Sequence, residues 1–378
     1  MGHKELLYSK SDVESLWKRP YERQISVMGS KVLEALNLSG GKLFFAFSGG
    51  KDSTFLLYHL AQIWACVYPD QTLHVVCNDT TIEYEGMISF VRWFCDYVSN
   101  KFKIKIALDI TRPADKQTFV TVYRDYGLPL ISKTVAKSIR TVKDLMRKHG
   151  VTYEEILAHR EKTLENVSYL QDRFGGSKSS TLYILGWTHS LQKFGSEYRI
   201  ADKWLPLLNA PFELTDECCD ILKHGNIPQD FENWVNMTAE MAEESRRRLT
   251  AYQTTGCNES IRPGKGGKSK PMGPVTLQTV LRGIKDNDIP LFKYYGEILE
   301  ENGKYATSGM YRTGCALCGF GLEFEPDRFV RLYELEPARV RFAFRSRERG
   351  GLGYREAFEY CNKYCGTCWE IPNTGEVE

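Results

Sequence analysis

The stretch Leu43-Phe44-Phe45-Ala46-Phe47-Ser48-Gly49-Gly50-Lys51-Asp52-Ser53 decides the fold of this chain. An apolar run ends in two glycines, a lysine, an acid and a hydroxyl, and an amphipathic run follows at 54–60. This order predicts a buried strand, a tight loop and the start of a helix. Glycines let the backbone approach a ligand closely, and the free N–H groups at a helix start favour an anion. With the charge of Lys51 and the hydroxyls of Ser48 and Ser53, the stretch predicts a phosphate-binding loop.

The same stretch has a simpler interpretation, an ordinary strand–turn–helix junction in which Asp52 or Ser53 caps the helix. It is not a Walker A loop, which needs four residues between its first glycine and the Gly-Lys pair. We favour the phosphate-binding loop because the whole Ser-Gly-Gly-Lys-Asp-Ser segment, residues 48–53, follows an apolar run.

Residues 48–53 resemble the PP-loop of the ATP-pyrophosphatase (adenine nucleotide α-hydrolase-like) superfamily. Members of that superfamily bind ATP or an adenylyl-sulfate and act on the α-phosphate side. The resemblance implies that six residues hold the phosphates of a nucleotide: Ser48, Gly49, Gly50, Lys51, Asp52 and Ser53. Together with the order of apolar runs, it predicts an α/β fold with a mostly parallel, doubly wound sheet, a helical insertion and a C-terminal cysteine-bearing segment.

The bulk composition of the 378 residues is that of an ordinary globular protein, with 42% hydrophobic and 26% charged residues. The net charge of +2 does not demand a nucleic-acid or membrane partner. No apolar run approaches the roughly 20 residues of a spanning helix, and the first residues lack the apolar core of a signal peptide. We therefore expect a cytoplasmic protein in which the clustered cysteines serve metal binding or catalysis rather than disulfides. Of the eleven cysteines, Cys66, Cys77 and Cys95 are scattered and fit buried apolar positions.

A second strand is predicted at 73–77, and Asp79 follows its end. In open α/β sheets ligands lie beyond the carboxyl ends of the strands. Asp79 is therefore a candidate to meet the ribose, the base or a metal ion, although a plain surface turn is the alternative. Proteins with a PP-loop often carry an acid at this place, which favours a role in the site. Lys51, Asp52 and Asp79 are the catalytic candidates.

Further elements follow from apolar periodicity and turn residues. The predictions are helices within 1–40, a half-exposed strand at 102–108, a charged helical insertion at 118–173, strands at 181–187 and 233–237, a flexible loop at 264–271 and a helix at 274–281 capped by Thr276. The predicted divisions are an N-terminal helical segment at 1–40, a nucleotide-binding domain at 41–255 with its insertion at about 118–175, and a cysteine-rich segment at 256–378.

Three consecutive arginines follow a Glu-Glu-Ser segment after the strand predicted at 233–237. This pattern predicts a helix start close to a phosphate or sulfate, where Arg248, and less surely Arg246 and Arg247, would bind acidic groups of the substrate. A capped helix with a solvated basic face explains the same residues without a ligand.

The spacing of the later cysteines narrows the resemblance to the PAPS reductase family, over roughly residues 40–355. Paired Cys218 and Cys219, with Lys223 after them, precede a distant CxxC at Cys315 and Cys318. In the adenylyl-sulfate reductase branch, such a pair and a CxxC hold a four-iron, four-sulfur cluster. The stretches 238–248, 256–258 and 313–321 look more like the PAPS reductase-like proteins of prophages and mobile elements. The cysteine-rich component of DNA phosphorothioation systems is a more distant relative.

Five cysteines compete for the four ligand positions of such a cluster: Cys218, Cys219, Cys257, Cys315 and Cys318. The reductase pattern uses the adjacent pair and the CxxC, whereas the mobile-element pattern makes Cys257 a competitor of Cys218 or Cys219. The spare thiol could carry sulfur as a nucleophile. Zinc is the alternative metal and would make the site a folding element.

The chain also departs from the reductases. It lacks their terminal Glu-Cys-Gly motif, and it has Ala239 and Met241 where relatives often carry Gly and Arg. Cys361, Cys365 and Cys368 have a CxxxCxxC spacing similar to the radical-SAM triad. We reject that assignment because the sequence ends at Glu378, too soon for the barrel that the triad opens. A second metal site, a thiol relay or plain tail packing remain.

These patterns lead to one expected function and two alternatives. We expect an enzyme that binds ATP with Mg²⁺, cleaves it between the α- and β-phosphates and adenylylates an acceptor for sulfur transfer. A sulfur-donor protein and a nucleic-acid or nucleobase acceptor are the expected partners. The first alternative is a reductase of a sulfonucleotide such as PAPS, and the second is a non-catalytic nucleotide-binding scaffold with structural zinc.

Overall fold

A computed structural model of the protein describes residues 6–114, 117–195, 198–223, 228–262 and 264–375. The helices are α1 Lys10–Trp17, α2 Tyr21–Ser39, α3 Lys51–Val67, α4 Met87–Phe102, α5 Phe119–Tyr126, α6 Lys133–His149, α7 Tyr153–Ala158, α8 Leu164–Arg173, α9 Lys178–Leu185, α10 Cys218–Leu222, α11 Arg246–Thr255, α12 Leu277–Asp286, α13 Arg328–Leu335, α14 Pro337–Phe344 and α15 Tyr354–Tyr364. The strands are β1 Leu43–Ala46, β2 Thr72–Asn78, β3 Lys105–Thr111, β4 Leu130–Ile131, β5 Trp187–Thr188, β6 Lys193–Phe194, β7 Val235–Met237, β8 Asn258–Arg262, β9 Gly266–Ser269, β10 Ile298–Glu301, β11 Lys304–Thr307 and β12 Gly319–Phe320.

The chain packs as two compact units, each made of two separate stretches. The first unit contains Met1–Pro113 and Gly225–Cys315, and the second contains Ala114–His224 and Ala316–Glu378. These are units of packing, so the predicted domain divisions at 40 and 255 stay a prediction.

The first unit is built on a six-stranded sheet in the order β3-β2-β1-β7-β9-β8. Neighbouring strands are parallel except β8, which runs antiparallel to β9. The sheet has helices on both sides, so the predicted mostly parallel α/β fold is confirmed. From β1 the strand order runs outward in both directions, and the carboxyl ends of β1 and β7 therefore flank a topological switch point, where open sheets bind ligands.

The apolar run at 43–47 forms β1 because the strand is buried on both faces. Leu43 and Phe45 belong to the main core, whereas Phe44 packs with Val76 and Phe231 in a separate cluster. Successive side chains of a strand point to opposite faces, so a central parallel strand reads as a continuous apolar run. Burying one such side chain contributes about 1.5–3 kcal/mol.

The second unit is mainly helical and has an aromatic core. The strands β4 and β12 pair in parallel, and β5 and β6 form an antiparallel pair. The ring centroids of Phe344 and Phe358 lie 5.2 Å apart, and Phe329 contacts both rings. The predicted helical character of 118–173 is confirmed by α5–α8, which are interrupted by β4.

The strand predicted at 181–187 is wrong, because α9 covers this run as far as Leu185. Thr181, Ile184 and Leu185 are buried at spacings that fit one face of a helix. A short apolar run rich in β-branched residues does not distinguish a buried helix from a buried strand by periodicity alone.

The flexible loop predicted at 264–271 is also wrong, because β9 lies inside the sheet between β7 and β8. Gly267 has φ +146°, and a Cβ there would lie 2.7 Å from the Cα of Ile261. The glycine therefore allows a close approach to the neighbouring strand, which has a register shift at this point. Glycines that are typical of a loop in the sequence therefore allow two strands to pack closely here.

Candidate active site

The segment after β1 makes a tight loop directly into α3. Gly49 has φ +72°, and a Cβ on it would lie 2.4 Å from Met87 Sδ and 3.0 Å from Val91 Cγ2. The packing of α4 against the loop therefore requires glycine at this position. Gly50 is the N-cap of α3, and it provides no side-chain cap for the helix. The first-turn N–H groups of α3 consequently depend on other partners, which suits an anion.

The hydroxyls of Ser48 and Ser53 hold the loop closed. Their Oγ atoms lie 3.0 Å apart, and Ser53 Oγ donates to the carbonyl of Gly50 at 2.9 Å. The backbone N–H of Gly50 donates to Ser48 Oγ at 3.4 Å. The loop thus has a defined shape built from its own polar groups.

Lys51 is a buried cation at the start of α3, with 5% of its surface exposed. Its Nζ lies 3.1 Å from Asp52 Oδ2 and 5.3 Å from the ring centroid of Tyr311. Burial acts to lower the pKa of Lys51, but the charge of Asp52 and the hydroxyls of Tyr295 and Tyr311 outweigh it, and the pKa is raised. Lys51 is therefore charged at neutral pH.

Asp52 has a second oxygen without a partner. Its Oδ1 is buried and forms no hydrogen bond within the described part of the chain. Buried polar atoms are normally hydrogen-bonded, so an exception next to a phosphate-type loop indicates a missing ligand. A carboxylate oxygen in this place fits a hard cation such as Mg²⁺, which prefers oxygen ligands.

Tyr295 connects the loop to the segment that carries the CxxC. The Lys51 N–H donates to Tyr295 Oη at 3.0 Å, and the Thr313 N–H donates to the same oxygen at 3.2 Å. Tyr295 Oη and Thr313 Oγ1 lie 2.7 Å apart, and either hydroxyl can be the donor. Two residues further on, Cys315 Sγ lies 3.9 Å from Thr80 Oγ1. Cys315 therefore lies beside the carboxyl end of β2, two residues after Thr313, which bonds the same tyrosine as the loop.

Sequence reasoning missed Tyr295 and Thr313. Lys51 and Tyr295 are 244 residues apart. Tyr295 belongs to no motif, and the stretch 313–321 gives Thr313 no role of its own. Burial raises the pKa of Tyr295, although Lys51 opposes that effect. The phenol is thus a neutral connector, and no local pattern in the sequence points to it.

Asp79 lies at the carboxyl end of β2, as predicted, and is almost completely buried. Its Oδ2 accepts from Arg112 Nε at 2.9 Å, and its Oδ1 accepts from the Thr81 N–H at 3.0 Å. Asp79 and Arg112 line a cavity of about 380 Å³, together with Thr81, Glu83, Tyr84, Gly86, Ile88 and Ser89. The Arg112 side chain is 72% exposed, so it presents a positive charge beside this cavity. Sequence reasoning also missed Arg112, because its contact depends on pairing of β2 with β3.

Arg248 lies in the first turn of α11, and the predicted helix start is confirmed at Arg246. The N–H of Arg248 donates to Ser245 Oγ at 3.3 Å. Its guanidinium pairs with the carboxylate of Glu244. Arg248 therefore has a local structural role, and its contact with a substrate stays a prediction.

Cys257 belongs to the first unit, where it packs in an apolar cluster with Val13, Ala242 and Tyr252. Burial raises the pKa of its thiol to about 12. A thiol with this pKa is protonated at neutral pH and is a weak nucleophile and metal ligand in that form. The described surroundings of Cys257 are those of a packed core residue.

Cys218 and Cys219 open the five-residue helix α10 in the second unit. A hydrogen bond from Cys218, aided by the charges of Lys133 and Lys223, lowers the pKa of Cys219 to about 5. Although the residues are adjacent, the helix start lets the two thiols meet. Cys318 also belongs to the second unit, directly before β12.

Elsewhere in this unit, Cys361 lies in the last turn of α15, and Cys365 is the C-cap residue of this helix. A hydrogen bond between their thiols lowers the pKa of Cys365 and raises that of Cys361. Cys368 is exposed. In all the ranges that the structure describes, no three His, Cys, Asp or Glu side chains are grouped so as to hold a metal ion.

Among the helices of the described ranges, none has both the length and the apolar character needed to cross a membrane.

Comparison with known proteins yields similarity in structure but not in sequence. No protein-family model matches the chain, and no curated protein sequence matches it. Among solved structures, the chain is similar to a phosphate complex of phosphoadenylyl-sulfate (PAPS) reductase from Candida auris, with 10% identity over 76% of this chain and 91% of that chain and a TM-score of 0.29. A similarity of this size carries no argument about activity.

Proposed function

We propose that this protein is a PP-loop enzyme that binds ATP at Ser48–Ser53 and cleaves it between the α- and β-phosphates. The adenylyl group would pass to an acceptor and activate it for sulfur transfer. The observation that carries the proposal is the loop itself, which leads from the central strand β1 into the uncapped start of α3 beside the charged, buried Lys51. A nucleic acid or nucleobase is the proposed acceptor, and a sulfur-donor protein is the proposed partner.

The reaction needs negative charge to be neutralised on the leaving pyrophosphate. Lys51 and the first N–H groups of α3 would supply fixed positive potential without rearrangement, because the loop is held by Ser48 and Ser53. Preorganised donors of this kind typically contribute about 10²–10³ in rate each. Mg²⁺, held in part by the unpartnered Oδ1 of Asp52, would supply further charge neutralisation when bound.

The cavity at the end of β2 would receive the nucleoside part of ATP. Both oxygens of Asp79 already accept hydrogen bonds. Asp79 would therefore act by holding Arg112 at the cavity, where the guanidinium can meet a polar or anionic group of the substrate.

From the resemblance we also propose that the protein binds a four-iron, four-sulfur cluster through four of the five candidate cysteines, or zinc as the alternative. The support is the cysteine spacing together with the position of Cys315 beside Thr80. Iron, sulfide and zinc should be quantified per chain in protein purified anaerobically. About four irons and four sulfides per chain would support the cluster, and one zinc per chain would support the structural alternative. Protein that contains neither iron–sulfur nor zinc would refute metal binding.

Nucleotide binding tests the proposal without knowledge of the acceptor. Titration calorimetry with Mg²⁺ and α,β-methylene-ATP, which resists cleavage at the α–β linkage, should show binding to the unaltered protein. We expect Lys51→Met to weaken it by tenfold or more, about 1.4 kcal/mol, because the buried charge is lost. Lys31→Met, on the surface of α2, is the control and should bind normally.

Equal binding by all three proteins would refute the assignment of the loop. Product analysis then separates the reactions: pyrophosphate from ATP is expected when acceptor is supplied, whereas release of sulfite from PAPS would indicate the reductase instead.

A further inference from the structure

The strand β3 forms an open edge of the six-stranded sheet. β2 pairs with one side of it, and no described strand pairs with the other. Every residue of β3 is at least partly exposed, whereas four of the seven residues of β2 are buried. An open edge presents unpaired N–H and C=O groups, which can pair with a strand of another chain.

The direction of the backbone groups along β3 follows from its pairing with β2. The carbonyl of Thr111 accepts from the Asp79 N–H at 2.8 Å, so Thr111 turns its backbone toward β2. Alternate residues of a strand do the same. The outward backbone groups therefore belong to Ile106, Leu108 and Ile110, whose side chains pack only partly buried against the main core.

Two opposite charges on β3 are placed symmetrically about Ala107. Lys105 and Asp109 are both exposed, and they share one face of the strand. Neither forms an ion pair with another residue in the described ranges. In an antiparallel pair of two β3 strands centred on Ala107, each Lys105 lies opposite Asp109 of the second copy. The charge pattern is thus complementary to itself, as a two-fold interface requires.

The same register also lets the outward N–H and C=O groups of the two β3 strands form hydrogen bonds with each other. It places Ile106 opposite Leu108 of the second copy, and these are the residues whose N–H and C=O groups point outward. Directly opposed residues of this kind exchange two hydrogen bonds, whereas Lys105 and Asp109 would form the closer, non-hydrogen-bonded pairs, with Cα atoms about 4.5 Å apart. The hydrogen-bond direction is therefore compatible with this register, and the charges select it from the registers that place outward-facing residues opposite each other.

The helix α4, which packs beside β3, carries exposed apolar surface. Trp93 is 49% exposed and stacks on Tyr97 with ring centroids 5.5 Å apart. Both rings line a cavity of about 530 Å³ with Asp96, Asn100 and Lys101. A stable dimer buries about 800 Å² per partner, more than two short strands supply, and these aromatic rings are the available contribution.

We propose that the protein forms a two-fold symmetric dimer by antiparallel pairing of β3 with β3 of a second copy, with Lys105 paired to Asp109 in both directions. The dimer extends the sheet across two molecules and does not depend on the proposed nucleotide chemistry. Its contacts are main-chain hydrogen bonds, two charge pairs and the apolar surface of α4.

Charge exchange at the edge tests the register. The mass of the full-length protein should be measured by sedimentation velocity over about a hundredfold range of concentration. We expect the unaltered protein to be dimeric and K105E and D109K each to weaken association tenfold or more, because each single change puts like charges opposite each other twice. The double variant K105E/D109K restores opposite charges and should recover the dimer.

Lys10→Glu makes the same charge change on α1, at an exposed position, and should remain dimeric. Far-UV circular dichroism and binding of the ATP analogue should be unchanged in all four variants, which separates loss of the dimer from loss of the fold or of the nucleotide site. A monomeric unaltered protein would overturn the proposal. So would a dimer that survives the single changes, or a double variant that stays monomeric.

Discussion

Gly49 and Gly50 are adjacent but have different reasons to be glycine. Gly49 has a positive φ and faces Met87 and Val91, so the fold itself excludes a side chain there. Gly50 has φ −70°. A Cβ on Gly50 would meet Ser48 Oγ at 3.4 Å and Tyr295 Oη at 3.5 Å, which is ordinary contact. The fold therefore tolerates alanine at position 50, and close approach of the proposed phosphate would be the reason for glycine there.

Alanine at each position separates folding from binding. Gly49→Ala should lower the free energy of unfolding by about 1–3 kcal/mol, because it combines overpacking with a strained backbone. Gly50→Ala should lower it by only about 1 kcal/mol, the cost of a poorer N-cap, yet reduce binding of the ATP analogue at least tenfold. Urea denaturation and titration calorimetry measure the two effects. Normal binding by Gly50→Ala would contradict the ligand explanation.

At the scale of single elements, local signals predicted most of what surrounds the site. The strand β1, the loop and the cap of α12 at Thr276 follow from apolar runs, glycines and a capping residue. The helix α9 and the strand β9 could not be predicted from local signals, because both depend on the elements that pack against them. The burial that favours a helix at 181–185 and the close approach of Ile261 to Gly267 are tertiary effects.

The helix α3 also carries a buried histidine that makes the fold sensitive to acid. His59 Nε2 is buried without a hydrogen-bond partner among the described residues, and burial lowers the pKa of His59 to about 4. The unfolded chain, with a histidine pKa near 6.5, binds a proton more readily than the folded one. The contribution of neutral His59 to the free energy of unfolding is therefore fully present above about pH 6.5 and is lost as the pH falls toward 4.

His59→Leu should remove this part of the acid sensitivity. The shift corresponds to roughly 3 kcal/mol across the window, so the variant should lose less stability than the unaltered protein between pH 7 and pH 4.5. Urea unfolding at several pH values measures this difference. An unchanged slope in His59→Leu would refute the assignment.

At the scale of the whole molecule, the site could be predicted only in part. The motif at 48–53 and Asp79 are recognisable, since their order along the chain is local. Tyr295, Thr313 and Arg112 complete the site through contacts between distant segments. No sequence pattern marks Tyr295 or Arg112, and the CxxC that follows Thr313 does not predict its bond to Tyr295. Tyr295 in particular joins the stretch that ends at Pro113 to the stretch that ends at Cys315.

Tyr295→Phe tests this connection. The change removes one oxygen and leaves the N–H groups of Lys51 and Thr313 without their acceptor, which costs about 1–3 kcal/mol for a buried donor. We expect lower stability in urea and weaker binding of the ATP analogue, because the start of α3 loses its anchor. Tyr126→Phe, at an exposed position, should change neither. Unaltered binding and stability in Tyr295→Phe would show that the connection is dispensable.

The central place of β1 in the sheet has a consequence for biosynthesis. β1 pairs on one side with β2, which follows it closely, and on the other with β7 at Val235–Met237. A ribosome adding about 5–20 residues per second needs roughly ten seconds or more to deliver that second neighbour. During that delay the apolar strand β1 lacks its partner β7 in the nascent chain. Chaperone protection should therefore matter most while residues between 47 and 235 are being translated.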